Sequence, residues 1–306
     1  MKKSANELAA IFVLTLAAFL AFTAEIDCQT KEDDVIIVDS SIVVLNAAVT
    51  DASGKAVNGL DGKLFTVFED GIEQKIDSFS AEDTPFAAVI LLDTSGSMEE
   101  RVTLARAAAI QFLNGLRRTD MAAIYNFDSK VEMVQDFSNS AFMSDRVFDL
   151  KARGQTVLND AICKAAEVLS KRSEKRRAII VLSDGADTMS GKGADSALKA
   201  ALAVNAAIYS VDMSAVDTNG RERMQNQGVL RNFAEKTGGR FISTPGGVAM
   251  RETFKRIVEE LGVQYTLTYS PSNIKKDGKW RALELRISKP NLTIRTRKGY
   301  NAPRAM

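Results

Sequence analysis

The hydrophobic rhythm of the chain changes three times, and each stretch predicts a different kind of structure. Residues 8–24 are one unbroken apolar or small run, preceded by Lys2 and Lys3 and followed by Glu25, Asp27, Lys31, Glu32, Asp33 and Asp34. A positive start, an apolar core and a polar flank describe a secretory signal. Cleavage after Ala24 leaves Phe22 where a small residue is preferred, so an uncleaved anchor stays open beside a cleaved signal. The run is slightly short of the ~20 residues of a spanning helix. Lipid attachment at Cys28 is a third option, with Asp27 where a small residue would be expected.

Residues 35–80 read as β-structure, with strands at Val35–Val38, Ile42–Thr50, Leu64–Glu69 and Ile72–Phe79. Asp70-Gly71 between the last two supplies the positive φ angles of a tight primed turn. From Phe86 the strands become continuous apolar runs. Phe86–Asp93 and Arg177–Asp184 are expected to be buried on both faces. Between and after them fall helical stretches near 101–116, 141–151, 157–171, 194–205, 226–236 and 247–261. Further strands are expected at 122–127 and 130–134, as an antiparallel edge hairpin, and at 207–211 and 240–243. Such alternation implies an α/β fold with a doubly wound, mostly parallel six-stranded sheet over residues 86–262. After Leu261 strand patterns return at 264–269, 280–287 and 292–297. Each β-flank is below the ~50 residues at which a lone domain is comfortably stable. Residues 35–80 and 263–300 are therefore expected to pair into one small β-sandwich, with the α/β domain inserted between them.

Composition narrows the function. A hydrophobic fraction of 45% and a charged fraction of 26% are those of an ordinary globular protein. With 40 basic and 39 acidic residues the net charge is +1, which gives no footprint for nucleic acid. Histidine is absent, which removes the Ser-His-Asp triad and imidazole-based zinc sites. Cys28 and Cys163 are too few for a disulfide framework or a thiolate zinc site.

The candidate chemistry sits at strand ends. Asp93-Thr-Ser-Gly-Ser97 closes the first buried strand and Asp184 closes the second, on the edge where open parallel sheets bind ligands. Thr156 lies in a loop before a helix, on the same side. Two Asp, two Ser and one Thr form a hard, all-oxygen set suited to magnesium, manganese or calcium. This pattern, Asp-x-Ser-x-Ser followed by a loop Thr and a later strand-end Asp, resembles the von Willebrand factor A domain and its metal-ion-dependent adhesion site over residues 86–262. The resemblance implies that Ser95 and Ser97 bind the ion directly, Thr156 directly or through water, and Asp93 and Asp184 largely through water. It also implies a partner protein presenting Asp or Glu. The segments Val49–Gly54, Phe65–Gly71, Asp77–Phe79, Asp277–Arg281 and Arg297–Tyr300 make the layout similar to that of bacterial VWFA-related exported proteins, known mainly from Acidobacteria.

The expectation is an exported, non-enzymatic adhesion module, periplasmic or secreted. Contact with a membrane would come only through an uncleaved N-terminal anchor. Two alternatives remain open. A metal-dependent phosphotransferase or phosphatase could use Asp93 as nucleophile, although haloacid dehalogenase-type enzymes have a second Asp where Ser95 stands and no GxxxxGK[ST] loop is present. An envelope scaffold could carry the metal site as a vestige.

Overall fold

A computed structural model of the protein describes residues 42–81, 84–139, 145–214, 220–243 and 247–304. The expected signal or anchor at 1–24 and the strand at 35–38 lie outside these residues. Among them, no helix is long and apolar enough to cross a membrane.

The chain enters through β1 (Val43–Asp51), whose alternate residues Val43, Leu45 and Ala47 are buried. β2 (Phe65–Glu69) and β3 (Ile72–Gln74) form a hairpin about Asp70 (φ 49°) and Gly71 (φ 82°), the two left-handed residues that a primed turn requires. The strand expected to continue over 72–79 is in fact two strands. β3 pairs with β2, whereas β4 (Ile76–Ser80) belongs to a different sheet. The break falls at Lys75. Just before it, buried Gln74 exchanges two hydrogen bonds with Ser272, its Nε2 donating to Ser272 Oγ (3.0 Å) and its Oε1 accepting from Ser272 N (2.9 Å).

β5 (Phe86–Asp93) follows, with every residue buried. Its alternate sides feed two different cores, which explains the absence of polar alternation. Phe86, Ala88, Ile90 and Leu92 pack with α1 (Val102–Asn114), and Ala87, Val89 and Leu91 pack on the opposite face. β6 (Met121–Phe127) and β7 (Val131–Ser138) form the antiparallel edge hairpin. The helix expected near 141–151 is, among described residues, only a single 3-10 turn over Asp145–Val147. Only Val147 of that turn is buried, and one apolar anchor gives a longer helix no face to pack.

α2 (Leu158–Ser170), β8 (Arg176–Ser183), α3 (Ala194–Ala203), β9 (Ala206–Asp212), α4 (Gly220–Thr237), β10 (Phe241–Ser243) and α5 (Gly247–Gly262) complete the α/β part. Its six-stranded sheet runs β10-β9-β8-β5-β6-β7, parallel throughout except at β7. α1 and α5 cover one face, and α2, α3 and α4 cover the other. The chain then makes β11 (Tyr265–Tyr269), β12 (Trp280–Ile287), β13 (Leu292–Arg295) and β14 (Gly299–Asn301). These interleave with the first strands in two four-stranded sheets, β13-β1-β11-β4 and β14-β12-β2-β3. The sheets share a core of Val43, Leu45, Phe65, Val67, Leu267 and Leu285 among others. The architecture is thus the expected one, an α/β sheet flanked by a small β-sandwich.

Two buried polar nodes join these parts. The basic run at 171–177 reads as a solvated loop in sequence, yet Arg176 is fully buried. Its guanidinium donates to the carbonyls of Thr84 (3.4 Å), Gly262 (3.1 Å) and Gln264. Burial is tolerable because carbonyl oxygens replace the lost water. On α5, Glu260 accepts from Tyr209 Oη (2.6 Å), from Arg240 (3.0 Å) and from Arg295 of the sandwich.

Candidate metal centre

The carboxyl-terminal edge of the parallel sheet gathers three loops. β5 delivers Asp93 to the edge fully buried. Its Oδ1 accepts from the backbone N–H of Ser95 (2.9 Å) and its Oδ2 from Ser183 Oγ (2.6 Å). The chain next makes a 3-10 turn over Gly96–Met98 before α1 begins. Ser97 therefore caps no helix; α1 has Arg101 at its cap, with no side-chain bond there. Instead Ser95 Oγ and Ser97 Oγ stand 3.1 Å apart, Ser95 buried and Ser97 exposed.

The second loop leads into α2. Arg153 N donates to Thr94 O (2.8 Å), and Gly154 O accepts from Gly96 N (3.2 Å), so this segment is laced to the Asp93–Ser97 loop. Gly154 is required here. Its φ is +74°, and a Cβ would come within 2.5 Å of Ser129 Oγ. Thr156 follows, buried, its N–H donating to Thr188 Oγ1 (2.9 Å). Thr156 O accepts from Thr188 N and Met189 N, both at 3.0 Å, which brings in the third loop, Asp184–Gly193. Asp184 heads that loop, half-buried, with its Oδ1 accepting from Ala186 N (3.0 Å).

Two residues outside the predicted set, Asp187 and Ser183, hold the arrangement. Asp187 accepts from Asn159 N (2.8 Å) and Ser190 N (3.0 Å). It caps α2 from a distance, since Val157 at the cap position offers no side-chain bond. Ser183 anchors Asp93 from the neighbouring strand, and its position directly before Asp184 was the signal available for it. Asp128 is buried rather than solvated; its Oδ1 accepts from Lys130 N (3.2 Å). Cys163 is buried on α2 as a small apolar residue would be, and burial pushes its thiol up.

Burial raises the Asp93 carboxyl to about 7; the Ser183 and Ser95 hydrogen bonds oppose this, and the nearby Asp184 carboxylate adds to it. No guanidinium or ammonium among the described residues meets Asp93 in return. Among the described residues no three His, Cys, Asp or Glu side chains gather into a metal-binding group. The donor set here is of another kind, two carboxylates and neutral hydroxyls, and its hard oxygens fit magnesium, manganese or calcium.

A six-stranded sheet with one antiparallel edge and helices on both faces matches the Rossmann-like fold of von Willebrand factor type A domains. Residues 88–186 match the family model described as von Willebrand factor type A domain. Similar solved structures include BatB, a conserved hypothetical protein from Bacteroides thetaiotaomicron, with 18% identity over 57% of this chain and 98% of that one (TM-score 0.48). A von Willebrand factor type A protein from Catenulispora acidiphila is 14% identical over 87% of this chain and 75% of that one (TM-score 0.48). The pilus adhesin SpaC from Lactobacillus rhamnosus GG, in an open conformation, is 10% identical over 81% and 49% (TM-score 0.49). Comparison with curated proteins gave no match.

Proposed function

We propose that this chain is an exported, non-enzymatic binding module that captures an Asp or Glu side chain of a partner protein through a divalent cation. Asp93, Ser95, Ser97, Thr156 and Asp184 would hold the ion: magnesium, manganese or calcium. One observation carries the reading: Asp93 is a fully buried carboxyl beside a second carboxylate, with no basic side chain against it among the described residues. A cation at this edge supplies that balance. Neutral Ser and Thr hydroxyls leave much of the ion's charge available, and magnesium usually keeps exchangeable waters, one of which a partner's carboxylate can replace.

Ser95, which stands where haloacid dehalogenase-type enzymes carry a second Asp, argues against Asp93 as a nucleophile. The apolar run at 8–24 is the basis for export. Calorimetric titration with magnesium tests the site: wild type should bind with measurable heat and Ser95→Ala should bind weakly or not at all. No heat in wild type sinks the metal reading. Capture of envelope proteins with and without chelator, on wild type and Asp93→Ala, then tests the partner step.

A further inference from the structure

The rim of the candidate metal centre carries both signs of charge. Glu99 and Glu100 follow the 3-10 turn that carries Ser97; both are exposed and neither forms an ion pair among the described residues. Arg153, on the neighbouring loop bonded to Thr94 O, has a side chain 75% exposed. Its nearest carboxylate is Asp128, at 3.7 Å. That is well beyond the ~2.7–2.9 Å of a charge-assisted hydrogen bond. The guanidinium fork therefore has donors left for a planar, bidentate acceptor.

The root of Arg153 is fixed, while its side chain is exposed. Its own N–H bonds Thr94 O, the next residue's carbonyl bonds Gly96 N, and Gln155 N bonds Ser129 Oγ at 3.1 Å. A long cationic arm is thus anchored on a backbone laced directly to the loop of Asp93, Ser95 and Ser97. An anion approaching over Arg153 is attracted, and one approaching over Glu99–Glu100 is repelled.

We propose that Arg153 is a specificity-determining residue and that the partner's contact segment carries two acidic side chains, one for the cation and a second for the Arg153 guanidinium. This rests on the metal reading above. It narrows the partner from any exposed acid to an acidic pair.

A randomised cyclic-peptide display library, selected on magnesium-loaded protein and eluted with chelator, tests it. Wild type should enrich peptides with two acidic residues. Arg153→Glu should enrich single-acid peptides with a basic residue at the second position. A synthetic two-acid peptide from the wild-type pool should bind Arg153→Glu about tenfold more weakly, with the gap shrinking at high salt. Because Arg153 is exposed, the variant should keep the wild-type melting temperature and magnesium heat. Enrichment of the same single-acid peptides by both proteins overturns the proposal and leaves the metal site standing. If magnesium binds without heat and nothing elutes with chelator, the metal reading fails and this proposal with it.

Discussion

Asp93 and Glu260 are both buried carboxyl groups, 0% and 4% exposed, and the fold treats them in opposite ways. Glu260 sits where α5 meets the sandwich, and it is surrounded by donors from two strands and a loop: Tyr209, Arg295 and Arg240. Asp93 sits at the open edge of the sheet, where a serine hydroxyl and one backbone N–H meet it and the nearest charged neighbour is another acid. Burying a charge costs several kcal/mol unless the surroundings repay it. At the junction the chain supplies cations in direct contact; at the edge, among the described residues, none touches Asp93. The first pattern belongs to a joint, and the second to a seat for something from solution.

Variants can sharpen or break that contrast. Glu260→Ala should have the largest effect, about 3–5 kcal/mol in urea unfolding, because it leaves two guanidiniums and a buried phenol without their acceptor. A loss under 1 kcal/mol would mean the junction is not held as described. Asp93→Asn should behave differently in chelator. A carboxyl raised to about 7 disfavours the folded state once ionised, so chelated wild type should lose stability as pH climbs from about 4 through 7, by up to ~4 kcal/mol. The asparagine variant should show no such loss, and magnesium should remove it in wild type alone. Thermal melts at stepped pH would decide, and equal profiles for both proteins would end the argument for an unbalanced edge.

Asp187→Ala should cost about 1–2 kcal/mol through the lost cap on α2. It should also weaken magnesium several-fold in calorimetry, since Thr156 and the Asp184 loop are held together through it. Ser97→Ala is the smallest change to the fold: the side chain is exposed and caps nothing, so stability should move by less than ~0.5 kcal/mol. Magnesium affinity should nonetheless fall. An unchanged affinity would remove Ser97 from the site.

Much of the architecture was legible because hydrophobic period reports burial directly. The all-apolar run Phe86–Asp93 could only be a strand covered on both sides, and Asp70-Gly71 could only be a tight turn. The Asp-x-Ser-x-Ser run was likewise visible, since its members are adjacent in sequence. What escaped depended on partners distant along the chain. Nothing in Ile72–Phe79 announces that the strand changes sheets, because the cause is Gln74 meeting Ser272. Arg176 reads as surface charge until the carbonyls of Thr84, Gly262 and Gln264 close around it. Asp187 looks like a turn residue until Asn159 N is found against it.

The position of Arg176 has a mechanical consequence. Its guanidinium grips the chain where it enters the α/β part, at Thr84, and where it leaves, at Gly262 and Gln264. A tug applied at the metal edge therefore reaches the sandwich along two strands of the backbone at once, through β4 and β11. These are neighbours in one sheet, and β11 lies hydrogen-bonded along β1 from Tyr265 to Tyr269. Pulled from that end, the pair would slide lengthwise past β1, so its bonds must fail together and not one after another, as a zip does.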